Sequence, residues 1–348
     1  MSRFLRKKRN KNSRLQELLK KLRPVTDEDR SNLITVSYSK LDLVSNCHRR
    51  YKLKYLDRKF AEKQTLPLEL GSILHRGLEL KGQALMKEEA VDYEKIKQIV
   101  HEGSSEETEK DSEFMAGIDA IAAKYFEDWG SKDPVSGMTY NEKIDLYFNK
   151  VLPTRMENED WKVIGTEIPF EFVYDEKCII HGFIDRLDKR KVNDVEEYRI
   201  TDYKSSKKIF DDSKIKTPLQ MVIYDLACLF IYQVVPQYHE YDFILLDKKQ
   251  TSEDGVCSKG YLKRGIKKLD NLLGVIKRME TEGEYAPSPT PLCYWCPYAS
   301  RMHTPNADDK YGGNCDYYSL WRPDNKVFQV NKPYVPGEEE KPKRKLVF

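Results

Sequence analysis

Gly182–Phe183–Ile184–Asp185 and Thr201–Asp202–Tyr203–Lys204 are the two short runs on which the reading of this chain turns. Residues two apart on a strand share a face, so Asp202 and Lys204 point the same way. Asn193–Asp194, between the runs, suits a hairpin turn that would carry Asp185 across a sheet toward Asp202. Two carboxylates and an ammonium on one surface are costly unless a cation sits between the acids. A divalent metal supplies that charge: Mg²⁺ favours carboxylate oxygens and keeps waters, one of which can act as nucleophile. Lys204 would then orient or help deprotonate that water and stabilise charge on a phosphate. An isolated Asp-x-Lys triplet also fits a surface salt bridge. Its flanks add weight, because Arg199–Ile200–Thr201 leads in as a buried strand would and Gly182 precedes Asp185 closely.

The pattern extends outward from this pair. From Trp161, residues Ile164, Ile168, Phe170 and Phe172 alternate with polar or small residues and predict a strand. Cys178 to Lys189 predicts a second strand and Tyr198 to Ser205 a third, antiparallel in appearance. Pro218 to Val235 reads as a long apolar helix, Tyr241 to Leu246 as a fourth strand and Gly265 to Glu282 as a late helix. Upstream, Ser37 or Ser39 can cap a helix carrying Leu41, Val44, Cys47, Tyr51 and Tyr55. A second helix is expected from about Leu68 through Leu80. Residues 85–150, with Ile118, Ile121, Tyr125 and Trp129 at helical spacing, read as a helical insertion. The expected organisation is a basic flexible tail over 1–30 and one α/β domain over 31–330. That domain would hold a helical insertion at about 85–155 and a cysteine-rich segment at about 287–320, before a charged tail over 331–348.

Two further spacings join the argument. Gly71 and His75 are four apart, hence on one helical face; glycine permits close approach, and the imidazole can supply a nitrogen to a metal. A lone histidine is equally at home in a core or at a cap. Gln220 and Tyr224 are likewise four apart, where helix packing alone would account for them. Together, Gly71-x-x-x-His75, Gly182-x-x-Asp185, Asp202-x-Lys204 and Gln220-x-x-x-Tyr224 resemble the PD-(D/E)XK nuclease superfamily, and within it the RecB-type exonuclease branch. The resemblance implies a restriction-endonuclease-like core, a central mixed β-sheet flanked by helices. It implies Asp185, Asp202, Lys204 and His75 as catalytic residues, with Mg²⁺ or Mn²⁺ held by His75, Asp185 and Asp202. It further implies that Gln220 and Tyr224 face the active site and position DNA or the catalytic elements. Glu167, in the preceding strand, is expected as an outer acid.

No apolar leader follows the first Met, so the seven cysteines suggest thiols in a reducing compartment, a cytoplasm, and metal binding rather than disulfides. Cys293-Tyr-Trp-Cys296-Pro places two sulfurs where they can grip one metal or cluster. Cys315 follows after 18 intervening residues, and Cys47 lies on the first helix. RecB-type nucleases often hold an iron–sulfur cluster with one cysteine before the core and three after it. The resemblance therefore implies a 4Fe–4S cluster on Cys47, Cys293, Cys296 and Cys315, stapling the first helix to the C-terminal loop. The Cys296–Cys315 interval is longer than the family's usual one, which keeps zinc as the alternative, with His303 as a further ligand. Cys178 and Cys228 are expected in the core, and Cys257 has no assignment.

The formal charge of +3 divides unevenly: residues 1–24 carry ten Lys and Arg against Glu17, a net +9, which leaves −6 for the rest. Such an arm contacts nucleic acid, is merely solvated, or resembles an organelle transit segment. The 39% hydrophobic content excludes a disordered chain and a collagen-like fibre. The most apolar stretch, Val222 to Val235, is interrupted by Asp225 and Gln233 and falls short of the roughly 18 apolar residues a membrane span needs. The expected function is a metal-dependent DNA nuclease, an exonuclease of DNA repair, recombination or phage DNA processing. No G-x-x-x-x-G-K-S/T phosphate loop is present, so a helicase would be a separate partner. The alternatives are a non-catalytic DNA- or partner-binding module on the same fold, and a zinc-containing interaction protein with an unrelated α/β body.

Overall fold

The computed structural model describes residues 15–60, 66–107, 112–133, 136–155, 160–206, 208–211, 219–256, 260–290, 293, 296–299, 310–315, 321–322 and 327–328. The first fourteen residues of the basic arm, Cys257, His303 and the charged tail over 331–348 lie outside the described residues. The chain divides into two compact units, residues 1–36 with 65–269 and residues 37–64 with 270–348.

The first unit is built on a mixed sheet of seven strands: β1 (Leu22–Arg23), β2 (Ile34–Val36), β3 (Lys162–Tyr174), β4 (Cys178–Val192), β5 (Val195–Lys204), β6 (Tyr238–Phe243) and β7 (Lys248–Val256). Their order is β1-β3-β4-β5-β6-β7, and β2 pairs with β4 outside that path. The β3–β4–β5 meander is antiparallel, β5 runs parallel to β6, and β2 runs parallel to β4. The hairpin turn between β4 and β5 falls at Asn193 and Asp194, both at positive φ, a conformation these two side chains tolerate better than most. Burial holds the central strands in place: Phe172, Ile180, Ile184, Leu187 and Ile200 have no exposed surface.

Two helices of this unit matter for the site. Helix α1 (Leu66–Met86) buries Leu70, Ile73, Leu74 and Leu78 in one apolar cluster with Tyr203, Ile244 and Leu245. Helix α2 (Leu219–Tyr232) buries almost its whole circumference, which accounts for its nearly continuous apolar sequence. Residues 93–154 are mainly helical, with Ile118, Ile121, Trp129 and Tyr147 buried in the α1 cluster. They also contain a two-stranded hairpin, Gly103–Glu107 with Ser112–Ala116, where only helix was expected.

The arm is shorter than the expected 1–30. Leu22–Arg23 adds to the sheet edge beside β3, and Asp27–Asn32 is a helix capped reciprocally by Thr26 and Asp29. Lys21 pairs with Asp175, and Arg23 with Asp29 and Glu176, so among the described residues these two arm cations are engaged by the body. The fourth predicted strand ends earlier than expected, at Phe243, because Ile244–Leu246 coils into a 3₁₀ turn. Strand β7 was not foreseen: its sequence is polar, and it pairs antiparallel along β6, with Lys249 also reaching Glu240 at 3.1 Å.

In the second unit the helix predicted after Ser37 is broken. Tyr38–Asn46 is helical, with the Ser37 hydroxyl accepting from Lys40 N. Cys47 is extended at φ −161°, and His48–Tyr51 and a π-turn at Lys52–Leu56 follow. Leu41, Val44, Tyr51 and Tyr298 are buried in this unit. Cys178 and Cys228, both in the first unit, are fully buried as expected.

Candidate active site

Strands β4 and β5 hold the acidic pair by register. Arg186 faces Thr201, which sets Asp185 against Asp202 at the end of the ladder. Beyond that point β4 changes neighbour: β2 pairs with residues 178–180 and β5 with 186–192, and neither register includes 181–185. The site opens at this fork. Asp185 is turned along it, its Oδ2 accepting from Tyr203 N at 2.8 Å.

Asp202 is wholly buried, and its Oδ2 forms an ion pair with the Lys204 ammonium. Lys204 Nζ also donates to Gln220 Oε1 at 3.2 Å, Gln220 Nε2 donates to the Tyr224 hydroxyl at 2.9 Å, and that hydroxyl donates to Asp202 Oδ1 at 3.4 Å. The four side chains close a ring, Asp202–Lys204–Gln220–Tyr224. The i,i+4 spacing on α2 thus does more than pack: it ties the acid and the ammonium of one strand to a single helix face. The Phe170 ring lies against Tyr224 with centroids 6.0 Å apart. It also covers Gly182 so closely that a Cβ there would meet its Cζ at 2.8 Å, which explains the glycine that opens the motif.

His75 comes from α1. Its Nδ1 lies 3.9 Å from Asp185 Oδ2, and its ring meets Tyr203 edge-on at 5.7 Å. The helix reaches this position because of Gly71, where a Cβ would fall 2.5 Å from Ser205 Oγ just past the end of β5. Tyr203 accordingly serves both ligating candidates, Asp185 through its amide and His75 through its ring. Its hydroxyl accepts from buried Arg186, which is paired with Asp188, itself held by Arg199. Sequence reading missed Tyr203, Ser205 and this buried chain; the only signal was the arginines inside strand-like runs. Glu167 stands opposite Asp185, between the pairs Thr166–Arg186 and Ile168–Ile184, with φ +43°. A non-glycine residue there costs about 1–3 kcal/mol, strain of the kind that collects near sites. Its carboxylate lies close enough to push up the Tyr224 phenol, after burial and the two aspartates.

The electrostatics follow from crowding. Burial, opposed by Lys204 and reinforced by Asp185, pushes Asp202 up to about 6. Burial likewise raises Asp185, against the pull of Lys204 and of the Tyr203 amide. His75 is pulled down to about 4, by burial first and by Lys204 second, so it is a neutral donor at pH 7. Burial pulls Lys204 down, yet the two carboxylates outweigh it and hold the ammonium charged. Two acids held reluctant to ionise, beside a neutral imidazole, form an oxygen-rich donor set with a deficit of positive charge, which fits a hard divalent cation. Among the described residues no three His, Cys, Asp or Glu side chains already converge at ligating geometry, and Lys204 occupies one side of Asp202.

This arrangement can be compared with known proteins. A model of the PD-(D/E)XK nuclease superfamily matches residues 35–301. The chain belongs to this superfamily. Its sheet carries Asp185, Asp202 and Lys204 on the adjacent strands β4 and β5, which lie between α1 and α2 in the chain. It is also similar to one of the subunits of the ATP-dependent helicase/deoxyribonuclease of Clostridium perfringens. The identity is 28% over 214 residues for the protein of strain SM101, and 27% over 223 residues for that of strain ATCC 13124. These alignments cover 56% of the chain but only 17% of each relative's length.

The cysteines form a separate feature within the second unit. Cys47, Cys293, Cys296 and Cys315 line one cavity together with Asn46, Arg50 and Leu53. The C-x-x-C turn is closed by Cys296 N donating to Cys293 O at 3.1 Å, and Cys315 N donates to Tyr298 O at 3.0 Å. The break at Cys47 brings that residue to the cavity wall. Burial raises the Cys293 and Cys296 thiols, with Cys47 adding to both and Arg50 opposing. Four thiols on one cavity match a soft-metal donor set in composition. All six cysteines among the described residues are free thiols.

Proposed function

We propose that this chain is a metal-dependent deoxyribonuclease, an exonuclease that hydrolyses phosphodiester bonds during DNA repair or recombination. The observation that carries the reading is the closed ring that presents Asp202 and Lys204 together beside Asp185 and His75. Asp185, Asp202 and the neutral His75 would hold Mg²⁺ or Mn²⁺. When bound, the ion supplies positive charge to the phosphate and makes a water acidic enough to attack. Lys204, charged and about one-fifth exposed, donates to a non-bridging phosphate oxygen and offsets the charge that builds there. Gln220 and Tyr224 hold its Nζ on the acid side and so fix where that charge acts. A binding-only module would have no use for a maintained Lys–Asp pair at the cost of two strained carboxylates.

End-labelled single- and double-stranded DNA with Mg²⁺ or Mn²⁺ tests this. Wild type should degrade it, while Asp202→Ala and Lys204→Ala should not. Equal degradation by either variant refutes the chemistry. The names of the relatives support a helicase as the working partner. For the cavity of the second unit, the four thiols favour a 4Fe–4S cluster over zinc, with a structural role in a reducing cytoplasm. Iron and acid-labile sulfide in anaerobically prepared protein support it, and stoichiometric zinc overturns it. The basic arm, with Lys21 and Arg23 engaged on the body, would add DNA attraction through residues 1–20. Deleting these should lower the salt slope of DNA binding, and an unchanged slope removes the arm from the interface.

A further inference from the structure

We propose that Phe183 is a platform on which a nucleobase next to the scissile phosphate stacks, with Leu68 as a second apolar wall on the His75 side. The inference rests on the DNA-nuclease reading and deepens it, because it names the substrate form: a strand whose bases are unpaired at the site.

Phe183 is the middle of the open stretch 181–185 of β4, which neither β2 nor β5 pairs. Its neighbours in the motif are accounted for: Gly182 lies under Phe170, and Ile184 is fully buried. Phe183 has no such duty, and 56% of it is exposed. It stands two residues from Asp185, about 7 Å along the strand. Leu68, 62% exposed, lies seven residues before His75 and so on the same face of α1, about 10 Å away. Exposed apolar residues scattered over a surface need no explanation. These two share their strand and helix faces with Asp185 and His75, whose side chains are 3.9 Å apart.

What occupies that space follows from the site. A phosphodiester seated at Asp185 and Asp202 carries a nucleoside on each side, and the base is the flat apolar part of it that an exposed ring two residues from Asp185 suits. Every base has a π-face, so stacking on Phe183 tolerates any sequence. A base inside a duplex already has both faces covered. One that stacks on Phe183 has left its helix, as in single-stranded or unwound DNA.

The test uses the full chain with Ca²⁺ in place of Mg²⁺ and single-stranded oligonucleotides carrying one 2-aminopurine at successive positions. Wild type should quench 2-aminopurine at one position. Phe183→Ala should lose that quenching and bind about tenfold more weakly, within the range of base–aromatic stacking. Phe183→Trp should restore both. An oligonucleotide abasic at that position should bind wild type and Phe183→Ala alike. The proposal is overturned if quenching survives in Phe183→Ala, or if the abasic strand still separates the two proteins. Far-UV circular dichroism verifies folding, and Phe183→Trp keeps the test decisive if the alanine variant misfolds. If wild type neither binds DNA nor cleaves it with Mg²⁺, the nuclease reading itself fails. Cleavage by wild type with unchanged binding by Phe183→Ala removes the platform alone.

Discussion

Asp202→Asn should destroy DNA cleavage and yet stabilise the metal-free protein at neutral pH. Asp202 is fully buried, and burial with Asp185 nearby raises its pKa from 3.8 to about 6 even after Lys204 is counted. That difference corresponds to roughly 3 kcal/mol of cost for keeping the carboxylate ionised in the folded state. The sign follows from proton binding. Below about pH 4 both folded and unfolded chains hold the proton, and no penalty exists. Between about 4 and 6 the folded chain holds it more tightly, so wild-type stability falls as pH rises. Above about 6 the full penalty is present. Asparagine never carries it, and its amide can turn oxygen to Lys204 and NH₂ to the Tyr224 hydroxyl. In EDTA, melting of variant and wild type should coincide near pH 4 and separate by roughly 5–10 °C at pH 7.5. Mg²⁺ should narrow or reverse the gap, since it stabilises only the protein that binds it, by about 2.7 kcal/mol at a hundredfold excess over Kd. Differential scanning fluorimetry across pH, with and without Mg²⁺, reads all of this. A variant less stable than wild type at pH 7.5 in EDTA, or a gap that does not change with pH, would refute the reasoning.

Other expectations concern the frame of the site. Gly71→Ala should push α1 off Ser205, costing about 1–3 kcal/mol and much of the activity, and Ser205→Gly should recover part of both. Activity and melting of the double variant check the coupling. Tyr224→Phe opens the ring at Asp202 and Gln220. It should lower kcat more than it raises KM, with about 1 kcal/mol lost in urea unfolding. Lys143 and Asp133 form a fully buried ion pair in the helical segment. Asp133→Ala should cost about 3–5 kcal/mol by stranding the ammonium, while leaving residual folded protein able to bind Mg²⁺. Urea unfolding and Mg²⁺ titration of the folded fraction check both halves of that expectation.

The strands around the acidic pair were legible because burial on one or both faces forces a period, and a hairpin turn at Asn193–Asp194 needs residues that accept positive φ. Helices α1 and α2 were legible for the same reason. The edges of the sheet were not. Leu22–Arg23 and Ile34–Val36 are too short to show a period, and Lys248–Val256 is a polar run whose strand form depends on its partner β6. The break at Cys47 was equally hidden, since a helical spacing from Leu41 to Tyr55 survives an interruption that changes direction without changing polarity.

Sequence by itself determined the chemistry available: two acids, a lysine and a histidine at spacings that assign each to a strand or a helix. It also determined that Gln220 and Tyr224 share a face, because 3.6 residues make a turn. Only the tertiary structure decided that those two close a ring with Asp202 and Lys204, and that Tyr203 braces Asp185 and His75. It alone left Phe183 uncovered, at a fork where β4 passes from its hairpin partner β5 to β2, a strand from a distant part of the chain. Local periodicity fixes which way a side chain leaves its own element. Which group it then meets depends on register and on long-range packing, and no neighbourhood of the sequence contains that.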